Sequence, residues 1–464
     1  MKKLLGTTLA LAMLLPVGAN AELLKNLKVG GQLDVQTTSA RNVLDFATRE
    51  AQGTNTPAAA TPNANNNDRI GHATTRLMLK MDWDLLDDVH ARVTMVKGAW
   101  NHAARTYGSV SQDLNTIQSD TFVEEAFVKI DKLFGFTDMT LGRQFYGEAG
   151  DLVVYYGPRD NYGMTVNALD AGRFDWNGES MSLTGVVGKI SDTGVATSGT
   201  TADDLRGLVA SFNKNENVKG SAYIYNQVRH AIGALGAGAP AAVSGKNTFL
   251  YVAGLKAKVT SGGLLASAEF AKNFGSDRTG GTLNNSNFKG WAFLAKAAFK
   301  ADLQDVGAFT PWGEFGYGTG DENGAFKGNT SFTAINTDYR PGGIYGRFDD
   351  SAALQLGNGT RGMESTGLTN RVIWGVGFKA TPASINKLTA GVQFYKYKLH
   401  TKVSDNVNSK SIGSEVDVTT EWKHSENVSI KGTLGSFQPG QFLAQQQTTK
   451  NPAVMGALDF SIKF

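Results

Sequence analysis

Apolar and polar residues alternate with a period of two along most of the chain. After residue 21 no apolar run approaches the ~20 residues that a membrane-spanning helix needs. Because successive side chains of a strand point to opposite faces, this alternation predicts strands with one apolar and one polar face. The clearest segments lie at 27–37, 76–83, 218–229, 291–300 and 454–464. A chain of such strands crosses a bilayer only as a closed barrel, in which the strands satisfy each other's backbone groups.

The connections between the predicted strands alternate in length. Eight are short and nine are long and polar, which predicts 18 strands. The strand near Leu169–Trp176 has the weakest pattern, and without it and one neighbour the count would be 16. A soluble sandwich or propeller would show no such alternation of short and long connections, and no 40–50-residue repeat marks propeller blades. We therefore predict an all-β fold, a transmembrane antiparallel up-and-down β-barrel.

The N-terminus indicates export from the cytoplasm. Lys2 and Lys3 precede the apolar run Leu4–Leu15, and Ala19–Ala21 has the small-x-small pattern of a cleavage site. We therefore predict a signal peptide at 1–21 and one barrel domain at 22–464, in the outer membrane of a Gram-negative cell. Its long extracellular loops include 39–68 and 318–369, and we expect 318–369 to fold over or into the mouth.

The C-terminus points to the partners of such a barrel. The last predicted strand ends in Phe464, and this terminal aromatic residue resembles the assembly signal of outer-membrane barrels. The expected partners are therefore outer-membrane lipid and the barrel-assembly machinery. Nucleic acid is not expected, because the formal charge of +3 falls to +1 when Lys2 and Lys3 are removed.

The sequence carries no recognisable catalytic or metal-binding motif. The chain has no cysteine, its six histidines show no metal-ligand spacing, and no Gly-x-Ser-x-Gly elbow is present. The acidic, glycine-rich segment Gly318–Gly324 is interpreted as a turn leaving a strand, with calcium binding as the alternative. We expect no enzyme activity, no cofactor and no metal.

The predicted polar face carries many charges. In phase with it are 14 basic and nine acidic side chains, too many for a dry core. They indicate a wet lumen, with about half of them in a cross-strand ion-pair lattice. The excess of basic groups favours anionic solutes. Arg76, Arg92 and Arg371 lie in this phase on clear strands, and the acidic candidates there include Glu125, Glu314, Glu415 and Asp417.

Several short motifs, in this order, resemble the alginate-export type of outer-membrane barrels. They are Leu141–Gln144, Gly157–Asp160, Arg173–Asp175, Gly318–Asp321, Phe332 with Asp338–Arg340 and Tyr345–Asp349, Gly413–Asp417 and Gly435–Gly440. The resemblance implies an 18-stranded monomeric barrel whose arginine-rich lumen passes anionic polysaccharide. It adds Arg143, Arg159, Arg173 and Asp175 to the candidate pore-lining residues. Arg143 is out of phase with the lumen unless Gly142 marks a bulge.

The sequence thus predicts a passive outer-membrane channel for polar, anionic solutes such as acidic sugars or oligosaccharides. A general small-solute porin is the first alternative, and a channel for hydrophobic compounds is disfavoured by the 23 inward charges. If the arginines form the selectivity filter, replacing Arg76 and Arg371 by alanine should reduce anion preference, because guanidinium groups bind carboxylates in a bidentate way.

Overall fold

The structure is a computed structural model that describes residues 26–43, 69–98, 121–191, 203–215, 217–230, 247–278, 286–321, 329–348, 367–402, 409–443 and 451–464. The predicted signal peptide, most of the loop 39–68 and parts of the loop 318–369 lie outside these residues. No helix in these ranges is long and apolar enough to span a membrane.

Twenty β-segments account for most of the described residues. They are β1 Leu27–Arg41, β2 Arg69–Leu86, β3 Val89–Lys97, β4 Thr121–Leu133, β5 Thr137–Gln144, β6 Leu169–Asn177, β7 Met181–Ser191, β8 Asp203–Asn215, β9 Val218–Arg229, β10 Thr248–Ser261, β11 Leu264–Asp277, β12 Ser286–Asn287, β13 Trp291–Phe299, β14 Ala301–Leu303, β15 Gly307–Gly318, β16 Arg371–Pro382, β17 Leu388–Leu399, β18 Ser411–Lys423, β19 Val428–Pro439 and β20 Ala453–Lys463. One 3₁₀ turn, Ala383–Ile385, joins β16 to β17.

Eighteen of these strands form one closed antiparallel barrel. Each long strand pairs with its neighbours along the chain, and β1 closes the ring by pairing with both β2 and β20. The two-residue β12 and three-residue β14 only extend the pairings of β11 and β15. The predicted fold class is confirmed, and the count is 18 because β6 pairs with both β5 and β7.

The alternation predicted from the sequence separates an inner from an outer wall. On β1, Asp34, Gln36 and Thr38 are buried inside the barrel. Large apolar side chains such as Leu255 and Leu434 are more than 60% exposed on the outside. A closed barrel with an exposed apolar outer surface is suited to lipid and not to water.

The two ends of the barrel differ. Short turns join β2 to β3, β4 to β5 and β6 to β7 at one end, which we call the turn end. The long connections, including 145–168 and 319–370, leave from the other end, the loop end. In outer-membrane barrels the short turns face the periplasm and the long loops face outside.

Candidate functional site

Two connections from the loop end fold back into the barrel interior. Residues 145–168 and 329–348, which we call the inner segments, meet through a parallel bridge between Val154 and Asn336. The Asp338 N–H donates to the Asp151 carbonyl at 2.8 Å, and the Tyr162 N–H donates to the Arg347 carbonyl at 2.9 Å. The predicted folding of the longest loop into the mouth is therefore observed for its described part. The inner segments form one unit across the lumen.

Two buried carboxylates of β18 hold the segment 329–348. Glu415 accepts hydrogen bonds from the N–H groups of Ile344 and Tyr345 and from the Tyr397 hydroxyl. Asp417 accepts from the Gly343 N–H at 2.9 Å. Both carboxylates are fully buried. Since an unpaired buried polar group is costly, these hydrogen bonds fix the segment to the inner wall.

Other wall residues add anchors around the same segment. Glu314 of β15 accepts a hydrogen bond from the Tyr339 hydroxyl at 2.9 Å. The Arg371 guanidinium donates to the Tyr345 hydroxyl at 2.8 Å. Arg347 of the segment pairs with Asp459 of β20. The segment is thus attached to β15, β16, β18 and β20.

Arg76 of β2 is the corresponding anchor for the segment 145–168. Its Nε and Nη2 donate to the Asp34 carboxylate at 3.1 and 2.7 Å. Its Nη1 donates to the Arg159 and Met164 carbonyls at 2.9 and 3.2 Å. The side chain is only 2% exposed. Every nitrogen of this guanidinium is therefore engaged, and none is available to a solute.

Arg159 joins the two inner segments to each other. Its Nη2 donates to the Asn336 side-chain oxygen at 2.7 Å and to the Thr337 carbonyl at 3.2 Å. Its Nε lies 3.6 Å from Asp338.

Glu125, on β4, is buried too and accepts a hydrogen bond from the Thr94 hydroxyl at 2.7 Å.

The predicted pore lining is therefore corrected for six residues. Their side chains are buried and bind the inner segments or the wall, so they do not present a free charge to the lumen; they are Arg76, Glu125, Arg159, Arg371, Glu415 and Asp417. For the five that lie on strands, the alternation gave the side of the wall correctly; Arg159, which came from the resemblance, lies on an inner segment. The alternation carried no information about the loops that cover them.

Arg143 is corrected for a different reason. It pairs in register with Ala126 and Asp170, and no bulge at Gly142 changes its phase, although Gly142 has φ 125°. Ala126 is exposed on the outer wall, so Arg143 also faces outward. Its guanidinium lies 3.1 Å from both Glu124 and Asp170. The proposed lumen role of Arg143 is therefore wrong.

Arg92, Arg173 and Asp175 lie in the inward phase, within an ion-pair network on β2–β6. Arg92 Nε lies 2.6 Å from Asp82, and Arg173 Nε lies 2.7 Å from Asp175. The same wall carries His90 between Asp84 and Asp131, and Lys129 beside Asp131 and Asp138. This is the predicted cross-strand lattice, in which opposite charges offset one another.

The wall formed by β9, β10 and β16 carries lysines that no carboxylate compensates. Lys219, Lys258 and Lys379 lie on the inward side of β9, β10 and β16, near the turn end. Lys431 of β19 is inward too, but its cross-strand partners are the acids Glu421 and Asp459. Lys219, Lys258 and Lys379 are exposed, and none of these three has an ion pair among the described residues. We call these three the lysine wall. The alternation places these lysines among the 14 inward basic side chains. It does not distinguish them from the others, because their lack of acidic partners depends on the strand register.

Two members of the lysine wall face each other directly. Lys219 and Lys258 are cross-strand partners on β9 and β10. Directly opposed like charges destabilise a sheet. The next inward acid, Glu269, is buried and already accepts from the Tyr223 hydroxyl at 2.6 Å. The pair therefore presents an uncompensated positive charge to the lumen.

Comparison with known proteins gives a likeness of fold. No protein-family model matches the chain, and no curated protein matches it. Solved structures do match over nearly their whole length. OpdQ of Pseudomonas aeruginosa has a TM-score of 0.53 at 10% identity, with 96% of this chain and 99% of that chain covered. A BenF-like porin from Pseudomonas fluorescens Pf-5 has 0.53 at 11% identity, with 95% and 99% covered.

A third match is the outer membrane protein OprD from Pseudomonas aeruginosa, with a TM-score of 0.51, 10% identity and 94% of each chain covered. At this identity the likeness concerns the fold alone. The chain has the 18-stranded barrel fold of outer-membrane porins. That fold and the apolar outer wall make it a multi-pass outer-membrane barrel.

Proposed function

We propose that the protein is a passive channel for small polar solutes with a preference for anions. The observation that carries the proposal is the lysine wall, three exposed inward lysines without carboxylate partners among the described residues. In a tube with low-dielectric walls, uncompensated charge of one sign concentrates counter-ions. The wall of β2–β6 is almost neutral because its charges are paired, so the lysine wall sets the sign of the charge in the lumen.

Small solutes are favoured over long polymers because the inner segments occupy the middle of the lumen. They are held by buried anchors on several strands, including Arg76, Glu415 and Asp417. A polysaccharide chain, as implied by the resemblance to alginate-export barrels, would need a continuous open path past these segments. The barrel fold shared with porins such as OprD also supports the small-solute alternative.

Neutralising the opposed lysine pair should reduce the anion preference. We expect Lys219→Gln with Lys258→Gln to move the reversal potential, measured in a potassium chloride gradient across a planar bilayer, towards that of a non-selective pore. The physical reason is the loss of two charges that no acid offsets. The size of the shift should fall as ionic strength rises, since exposed charges are screened.

Lys396→Gln is the matched control, because Lys396 lies on β17 in the outward phase. It removes one positive charge from the same barrel without changing the lumen, and its reversal potential should equal that of the wild type. An unchanged reversal potential in the double variant would reject the anion preference. It would leave a general porin without charge selection.

A further inference from the structure

Trp312 is unusual among the tryptophans of this barrel. Of the six within the described residues, the other five lie in the outward phase and Trp312 of β15 alone lies in the inward phase. Its side chain is half-buried, so part of its surface remains open. Outward tryptophans of an outer-membrane barrel serve the lipid interface. An inward one on a wet wall needs another explanation.

The wall beneath Trp312 is shaped for a flat ring. Its cross-strand partners are Ala298 on one side and Gly377 on the other. A Cβ atom added to Gly377 would lie 2.9 Å from the indole Nε1 and 3.0 Å from Cε2. The indole therefore lies across β16 at a place where only glycine leaves room for it, and it packs against Tyr395 with ring centroids 5.8 Å apart.

Two lysines flank the ring on the same inner wall. Lys296 pairs with Glu314, and Lys379 pairs with Thr310, so each is a diagonal neighbour of Trp312. Diagonal neighbours are ~7–8 Å apart, a spacing that long side chains bridge. Lys379 belongs to the lysine wall. Lys296 lies 3.8 Å from Glu314 and over the Tyr339 ring at 5.1 Å, at the border with the inner segment 329–348.

We propose that Trp312 and Lys379 form a binding site for small carboxylates that carry a flat ring face, with the Lys296–Glu314 pair at its border. The ring stacks on the indole, and the carboxylate lies against the Lys379 ammonium group. The site borders the inner segments on their turn-end side, where a solute leaving the constricted part of the lumen next meets the wall. This inference deepens the proposed function and rests on it, because it names the class of anion that the channel would favour.

The site is tested by current block in single channels, with benzoate, glucuronate or propionate added on the turn side. Benzoate offers an aromatic face, glucuronate a sugar face, and propionate a carboxylate without a ring. For Trp312→Ala we expect the half-blocking concentration of a ring-bearing acid to rise about tenfold, because stacking on the indole is lost. Trp312→Phe, which keeps a ring, should restore most of the block, and propionate should be unaffected.

The choice of probe distinguishes two sources of the ring. A loss of block confined to benzoate assigns the site to aromatic acids, and one confined to glucuronate assigns it to sugar acids. If Trp312→Ala changes neither, or weakens propionate equally, the proposed site is overturned. Trp374→Ala, which alters an outward tryptophan of β16, is the control. Reversal potentials recorded on the same channels report the anion preference separately, so failure of the site and failure of the proposed function are distinguishable.

Discussion

Replacing residues 329–348 with a short glycine-serine linker should raise the single-channel conductance by roughly two- to fivefold, because ion flow increases with the open cross-section of the lumen. This segment lies inside the barrel and is fixed to Glu415, Asp417 and Glu314 of the wall. Its removal leaves those carboxylates facing water, where they can be solvated, so the barrel itself should persist. Planar-bilayer recording of the purified variant gives the measurement.

The anion preference should weaken in this variant although the lysine wall is unchanged, because the carboxylates freed by the replacement add negative charge to the lumen. The same linker placed between β17 and β18, at residues 403–408, is the control for an altered loop end, and its conductance should equal that of the wild type. A milder variant, Glu415→Ala with Asp417→Ala, keeps the segment but removes its main anchors. It should show brief openings to the higher conductance. A deletion variant with wild-type conductance would contradict the role of the inner segments.

The fold could be predicted from the sequence for two reasons. Side chains of a strand alternate with a period of two, and the connections of an up-and-down barrel alternate between short turns and long loops. Leu169–Trp176 had the weakest pattern, yet it pairs on both sides as β6. Its outward side begins with the charged Asp170, which pairs with Arg143. An ion pair on the outer wall breaks the apolar alternation locally, and this explains both the weak strand and the misplaced arginine.

The candidate site was less accessible to the same reasoning. Phase distinguishes inside from outside, but it does not show whether a loop covers an inward residue. Arg371 was in phase and on a clear strand, yet its guanidinium is bound to Tyr345 and to the Thr369 carbonyl at 3.1 Å. Lys219 and Lys258 belong to the 14 basic side chains in the inward phase, but only the strand register shows that they face each other. Both features depend on contacts between residues far apart in sequence.

Arg76→Ala is the substitution that best tests whether Arg76 anchors the segment 145–168 or selects ions in the lumen. The substitution leaves the Asp34 carboxylate buried without its cation and two carbonyls of the segment 145–168 without a donor. Removing one partner of a buried ion pair costs about 3–5 kcal/mol. We therefore expect the variant to lose its folded, fast-migrating form on a gel at a clearly lower temperature than the wild type, with an unchanged reversal potential.

Arg92→Ala is the matched control on the adjacent strand. Its pair with Asp82 is one-third exposed on each side, and such a pair contributes about 0–1 kcal/mol, so the heat-induced transition should hardly move. In the double variant Asp34→Asn with Arg76→Ala, the unpaired charge is gone and part of the lost stability should return. If Arg76→Ala instead unfolded like the wild type and shifted the reversal potential as the Lys219 and Lys258 substitutions do, Arg76 would be a filter residue. The assignment of its guanidinium as an anchor of the segment 145–168 would then be wrong.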